Sequence, residues 1–533
     1  MRKSIYVLAL GLMASFSAFS QITTGANVAV VQTESGKVRG YVHNSIYTYK
    51  GIPYAEANRF EAPHPVKWDG IRSSLTYGPV APLLTPTTKV QDESEFVFNH
   101  NWGFTNEDCL RINVWTPGVN DGKKRPVLFW IHGGGYTAGS SIELPSYEGE
   151  SLAKKGDVVV VSINHRLNIL GFLDLSAYGD KYKTSMNNSI LDIQTALAWV
   201  NKNISNFGGD PGNVTILGQS GGGAKVNTIM AMPKAKGLFH KAVNQSGAFR
   251  GEFLEKETTQ AIAAEVLKNL NISSTEIDKI QKVPFEQLAE AGNKALKTIA
   301  EKLKAAGKTV GGFGLSWGPS RDGELLPYQM FDPQALELSK NIPLLIGTVK
   351  NEFMPSLMAG LSDAPADKIE EFIKKTYGDK AEAYKTAVRK AYPTDTKPSD
   401  LIDVDTRFRP GAVYQANVKS ALSGGAPVYM YLFTWQSPVL DGKYKAIHCI
   451  EIPFAFNNIA RCEEMTGGFK DAYVLADKMS SSWINFAKTG NPGHKALPAW
   501  PAYNSKNTAT MHFNNTCELK PQMDKELFDL VAQ

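Results

Sequence analysis

Short, almost unbroken apolar runs recur along the chain, each closed by turn-forming residues. The clearest are "RPVLFWIHGGG" from Arg125, "DVVVVSIN" from Asp157, "NVTILG" from Asn213, "KAVNQSG" from Lys241, "IPLLIGT" from Ile342 and "PVYMYLFTW" from Pro427. Their length and their Val, Ile, Leu and aromatic content predict β-strands. A strand with one wet face alternates apolar and polar residues. These have no polar face, so they predict parallel strands covered on both sides. Helical patterns run between them. In "DIQTALAWVNKNI" from Asp192, the residues Ile193, Ala196, Leu197 and Val200 fall on one helix face. Such alternation predicts an α/β fold, a mostly parallel central sheet with helices on both faces. Residues 251–308 differ, with the Lys-, Glu- and Ala-rich amphipathic stretches "KETTQAIAAEVLKNL" and "PFEQLAEAGNKALKTIAEKLKAAG". They lie between two core strands, so they predict a helical insertion over the ligand-binding edge of the sheet. Residues 21–533 are expected to form a single domain.

Composition changes this picture little. The 533 residues are 43% apolar and 20% charged, an ordinary globular balance. A net charge of +5 with no dense Lys/Arg stripe argues against nucleic acid as a partner. The first twenty residues, "MRKSIYVLALGLMASFSAFS", change it more. A basic start, an apolar run from Ile5 to Phe16, and the small residues Ala18 and Ser20 predict a signal peptide over residues 1–20, cut before Gln21. An apolar run of about twelve residues is too short to cross a roughly 30 Å hydrocarbon core as a helix. The expectation is an exported protein, periplasmic or secreted, with no membrane anchor in the mature chain. Loss of Arg2 and Lys3 would leave a net charge of about +3. The four cysteines, Cys109, Cys449, Cys462 and Cys517, lack zinc-site spacing and allow three full pairings. Cys449 and Cys462 are close enough in sequence to pair.

Chemistry enters with "ILGQSGGGAKV", which sets Ser220 between Gly218 and Gly222. A predicted strand ends at Gly218 and a helix can begin just after Ser220. A nucleophile elbow needs this setting, because the serine there takes a strained backbone conformation and its flanking glycines avoid side-chain clash. A phosphate-binding loop would need Lys-Ser/Thr at a spacing this stretch lacks. In "WIHGGGYTAGSS", His132, Gly133, Gly134, Gly135 and Tyr136 directly follow another strand. Successive glycines bring backbone N–H groups close to a substrate oxygen. The N–H groups of Gly134, Gly135 and Gly221 are therefore the expected oxyanion hole, where one donor is typically worth about 3–4 kcal/mol of barrier.

With these motifs on view, the sequence resembles the type-B carboxylesterase/cholinesterase family of α/β-hydrolases from about Val28 to the C-terminal helix. "YKGIPYAEANRFEAP", with Gly51, Ile52, Pro53, Tyr54, Ala55, Arg59 and Phe60, looks like that family's N-terminal signature. "EDCLRINVWTP" from Glu107 is similar to its second signature, "INHRLNILGFL" matches a third block, and "NISNFGGDPGNVTILGQSGGG" looks like the long nucleophile signature. The resemblance implies partners for Ser220. The family's acid follows a strand in G-x-x-x-x-E, here Gly347 and Glu352 in "LLIGTVKNEF". Its histidine precedes Glu-x-Pro-Phe, here His448 before Glu451, Pro453 and Phe454 in "AIHCIEIPFAF". The order Ser, Glu, His is the one this fold uses. Ser246 in "NQSGAF" matches a position that supports the acid. Asp322 in "RDGEL" is the rival acid, but Asp-Gly reads as a turn. His132, His165 and His494 read as structural.

The chain also departs from the family. Gln219 stands where glutamate is usual, and Gly221 where alanine is. Ser189 and Ile193 replace a Gly and a Gln. Val80 and Ala81 occupy the region where the partner of Cys109 would lie, so Cys109 is expected to make no disulfide.

The combined reading is a serine carboxylesterase that cleaves small-molecule esters through an acyl-enzyme, with no metal or cofactor. Thioesterase or amidase chemistry on the same triad, and a non-catalytic binding or adhesion relative, are the alternatives; the intact Ser220, Glu352 and His448 argue against the last. Activity should fall in acid through an ordinary histidine pKa of about 6–7. Neutral Gln219 predicts short-chain or aryl esters of neutral alcohols over choline esters. Phe96, Phe98 and Trp102, in the loop from Leu84 to Thr105, and Phe313 and Trp317 either wall the pocket or pack in the interior.

Overall fold

The six apolar runs all become strands of one sheet. The computed structural model describes residues 21–83, 93–248, 251–308 and 314–532. The leader expected at residues 1–20, the loop residues 84–92 and Phe313 lie outside that set. The sheet has eleven strands: β1 (Tyr41–His43), β2 (Ile46–Pro53), β3 (Arg111–Thr116), β4 (Arg125–Ile131), β5 (Val159–Ile163), β6 (Gly209–Gln219), β7 (Lys241–Gln245), β8 (Leu344–Val349), β9 (Val428–Phe433), β10 (Thr510–Phe513) and β11 (Glu518–Lys520). Their order in space is β11-β10-β9-β8-β7-β6-β4-β5-β3-β2-β1. From β5 to β10 every neighbouring pair is parallel. Both margins are antiparallel. The strands that the sequence pattern did not mark, β1–β3, β10 and β11, are short or mix polar residues into the run.

The parallel strands bury both faces. In β4, Val127, Phe129 and Ile131 point into one core and Leu128 and Trp130 into the other. The main helices are α1 (Asn168–Phe172), α2 (Asn188–Asn203), α3 (Gly221–Met230), α4 (Lys256–Asn269), α5 (Phe285–Ala305), α6 (Phe408–Ser420) and α7 (Lys470–Thr489). Ile193, Leu197 and Val200 of α2 and Val226 and Ile229 of α3 complete the first core. Leu475, Met479 and Trp483 of α7 complete the second. The α4–α5 pair lies within the predicted insertion. A Cβ at Gly292 of α5 would stand 2.8 Å from Ile169 of α1 and from Trp317, so α5 packs tightly there. Trp317 is itself buried in that core.

Strand order reverses at β4: β5 lies on one side of it and β6 on the other. Such a switch point opens a crevice beyond the carboxyl ends of the strands. The His132–Tyr136 loop leaves β4 there, Ser220 leaves β6, and the segment holding Glu352 leaves β8. An isolated bridge between Asn351 and Ile447 brings the chain before His448 alongside Glu352.

Candidate active site

Ser220 joins β6 to α3 with φ +56° and ψ −125°. A side-chain-bearing residue there is strained by about 1–3 kcal/mol and is held only if its surroundings insist. They do: Ser220 N–H donates to the Gln245 carbonyl at 2.8 Å, and the Ser220 carbonyl accepts Ala224 N–H at 3.0 Å. The flanking glycines are needed because backbone packs on backbone. A Cβ at Gly222 would overlap the Ile131 carbonyl, and one at Gly218 would meet the Gly222 carbonyl at 2.5 Å. Gly-x-Ser-x-Gly is thus a steric requirement of this turn.

Gly134 and Gly135 take φ of +83° and +61°. Their N–H groups and that of Gly221 donate to no acceptor among the described residues. A Cβ at Gly221 would overlap the backbone of Gly135. That accounts for the departure from alanine: the loop occupies the space an alanine methyl would fill. Gly221 opens α3, and the N-terminus of a helix favours an oxygen acquiring negative charge.

The imidazole Nδ1 of His448 bonds the Glu352 carboxylate. His448 N–H also donates to the Glu352 carbonyl at 3.0 Å, and Glu352 Oε1 accepts Val349 N–H at 3.1 Å. The His448 ring packs against Phe353 at 4.6 Å and Phe408 at 5.3 Å between centroids. Burial of both partners pushes Glu352 up, to about 8, and His448 down, to about 4. Burial thus sets His448 below the ordinary imidazole value expected from residue type. Ser246 is strained as well, at φ +50°. Its buried hydroxyl makes no hydrogen bond of normal geometry, yet it lies near enough to Glu352 to hold back part of that carboxyl's rise.

Gln219 sits closer to His448 than the sequence implied. Its carboxamide nitrogen is 3.3 Å from His448 Nε2 and 3.4 Å from Nδ1, and its oxygen accepts the Cys449 thiol at 3.3 Å. Among the described residues, Ser220 Oγ makes no hydrogen bond in this resting arrangement.

Two further carboxyls face His448 and were not assigned from the sequence. Asp405 accepts N–H bonds from Arg407 at 2.9 Å and Arg409 at 2.6 Å, so it caps α6 and sets Phe408 against the imidazole. Glu451 accepts Gln245 Nε2 at 3.1 Å. Burial and the nearby Glu352 push each up to about 7. Glu451 was visible inside its motif; nothing in "DVDTRF" distinguished Asp405. Asp322 accepts N–H groups of Glu324, Leu325 and Leu326 at 2.8–3.0 Å and holds a turn. His132 and His165 are buried edge to face at 4.7 Å, and His494 bonds the Lys478 carbonyl at 2.9 Å. Phe98, His100 and Trp102 stack in series, while Phe96 is exposed. All four cysteines are free, so Cys449 and Cys462 do not pair.

Residues 27–530 match the pattern of the Carboxylesterase family. The para-nitrobenzyl esterase of Bacillus subtilis is 36% identical over 515 residues, 93% of this chain and 97% of that protein. The phenmedipham hydrolase of Pseudarthrobacter oxydans is 31% identical over 494 residues, 90% of this chain and 94% of its own. Among solved structures, an esterase from anaerobic Clostridium hathewayi that can hydrolyse aliphatic aromatic polyesters superposes with a TM-score of 0.80 at 35% identity, covering 96% of this chain and 99% of its own.

Proposed function

The chain belongs to the carboxylesterase family and is a carboxylic ester hydrolase; from that premise, we propose that Ser220 is its nucleophile, His448 its general base and Glu352 the acid that orients the base. His448 takes the Ser220 proton as Oγ attacks the ester carbonyl. The carbonyl oxygen becomes an oxyanion between the N–H groups of Gly134, Gly135 and Gly221. Collapse expels the alcohol, protonated by His448, and leaves an acyl-enzyme; water repeats the sequence to release the acid. Glu352 holds the proton on Nδ1, so that Nε2 is the basic nitrogen, and it balances the imidazolium charge. The observation that carries this reading is the strained turn at Ser220, set beside three unbonded N–H groups and the buried His448–Glu352 pair. Ser220→Ala should cut turnover by about 10⁴-fold or more, and a fluorophosphonate should label Ser220 alone. Labelling that survives in the alanine variant would sink the assignment.

Short-chain or aryl esters of neutral alcohols are the preferred substrates in this proposal. Gln219 is neutral beside the nucleophile, where a carboxylate would attract a cation. Phe353, packed on His448 and 45% exposed, offers an apolar ring at the site. The names of two relatives, a para-nitrobenzyl esterase and an esterase that can hydrolyse aliphatic aromatic polyesters, agree with aryl esters of neutral groups. A butyryl ester of a neutral alcohol should exceed butyrylcholine in kcat/KM. A tenfold advantage for the choline ester, about 1.4 kcal/mol in the transition state, overturns this. Export rests on the leader pattern of residues 1–20, and the N-terminal sequence of the mature protein tests it.

A further inference from the structure

Lys225 lies five residues beyond Ser220 on α3 and is wholly buried. Its Nζ donates to the His132 carbonyl at 3.3 Å and lies 5.7 Å from the centre of the Tyr136 ring. Among the described residues, no carboxylate comes within ion-pair distance of it. Glu143, on the loop beyond Gly139, is the anion whose field reaches it. A buried ammonium without a paired carboxylate is costly, and an apolar side chain would fill the same space. Its position explains what it does. Helix α3 begins with Gly221, and the His132 carbonyl leads into Gly133, Gly134 and Gly135. Lys225 therefore links α3 to the strand end from which the glycine loop departs.

We propose that Lys225 is a positioning residue of the oxyanion hole: its ammonium ties the glycine loop to α3 and sets a fixed positive charge behind the place where the oxyanion forms. The proposal rests on the reading of Ser220 as nucleophile. A charge placed there acts on the transition state more than on the neutral ester, so it raises kcat with little effect on KM.

A pH dependence follows. Burial pushes Lys225 down to about 7, so the cation is present in mild acid and lost as pH rises. The groups facing it do not mimic this step. His132 at the end of β4 and His165 beyond β5 are pushed well below the histidine range by burial and by Lys225 itself. Burial pushes Tyr136 up to about 12 and raises Glu143, which His100 approaches at 3.9 Å. Glu352, Asp405 and Glu451 ionise as pH rises, and a charged Glu352 aids His448, so their effect on rate has the opposite sign.

The test is kcat and KM across pH 5.5–9.5 for the wild type, Lys225→Met and Glu143→Gln, with a p-nitrophenyl ester. In the wild type, kcat should step down to a lower plateau near pH 7. Lys225→Met should lower kcat at pH 6 by about 10- to 100-fold with KM within about threefold, less than loss of a direct donor, and should abolish the step. Its melting temperature should hold or rise, because a buried charge has gone. Glu143→Gln removes the counter-charge, so it should move the step to lower pH by about half a unit. A methionine variant with wild-type kcat at pH 6, or one that keeps the step, overturns the proposal. If that variant does not fold, an unmoved step in Glu143→Gln overturns it instead. Turnover in Ser220→Ala within about tenfold of the wild type would strike the serine assignment itself, which separates the two failures.

Discussion

At His448 two effects compete. The negative charges of Glu451 and Asp405 favour the imidazolium, while burial between Phe353 and Phe408 disfavours it, and burial wins. The proposed base must be neutral to accept the Ser220 proton, so in that reading activity is lost when His448 is protonated. A depressed pKa moves that loss to more acid solution. We expect kcat/KM to hold from pH 6.5 down to about 5 and to fall with an apparent pKa near 4. The unfolded chain takes up its histidine proton near the ordinary value, before the folded one does, so the stability that His448 contributes is lost as pH falls below about 6.5, while the raised carboxyls Glu352, Asp405 and Glu451 act in the opposite sense. Rates should therefore be read from brief pH jumps with stability followed in parallel. An acid limb centred at 6–7 would show that the imidazole is better solvated than this site implies.

At the scale of elements, the elbow and the glycine loop touch backbone to backbone. Gly222 against Ile131 and Gly221 against Gly135 join the two segments, while Gly218 with Gly222 and Gly223 with Gly247 pack the elbow on itself and on the chain beyond β7. The Gly221 contact matters most for chemistry, because both partners belong to the proposed oxyanion hole. Gly221→Ala should push the loop away, and two donors would no longer converge on one oxygen. The expected result is a loss in kcat of at least tenfold, with a stability cost of about 1–3 kcal/mol from overpacking. Ester kinetics and urea unfolding on the same variant measure both. An alanine variant with unchanged kcat would mean that the loop yields without disturbing the hole. Asp405 works at this scale too, since capping α6 fixes where Phe408 meets the imidazole.

Across the whole molecule, cohesion comes from two cores on either side of an eleven-stranded sheet, not from covalent bridges. A chain of 533 residues buries enough apolar surface for that. Cys109, Cys462 and Cys517 are buried and Cys449 is half-buried, and burial raises all four thiols above the usual range. Alkylation of the unfolded, unreduced protein should find four free thiols. The folded protein should react slowly, because protonated buried thiols are poor nucleophiles. Peptide mapping that recovers any intramolecular bridge would contradict this.

What could be read from the sequence was local. The parallel core strands announced themselves because burial on both faces removes polar residues from a run of consecutive positions. The Ser220 turn and the glycine loop did so because a positive φ or a backbone contact excludes side chains within a few residues. Glu352 and His448 were reached through motif resemblance, and the fold then set them in contact from 96 residues apart. The edge strands escaped notice because pairing with a neighbour, not an apolar run, makes them strands. Tertiary structure alone decided that Asp405 faces the imidazole, that Gln219 reaches it from 229 residues away, that Lys225 meets the His132 carbonyl, and that no two cysteines meet. The protonation of His448 and Lys225 belongs with these, because a pKa is set by desolvation and neighbouring charge, and both depend on which distant residues the fold brings together.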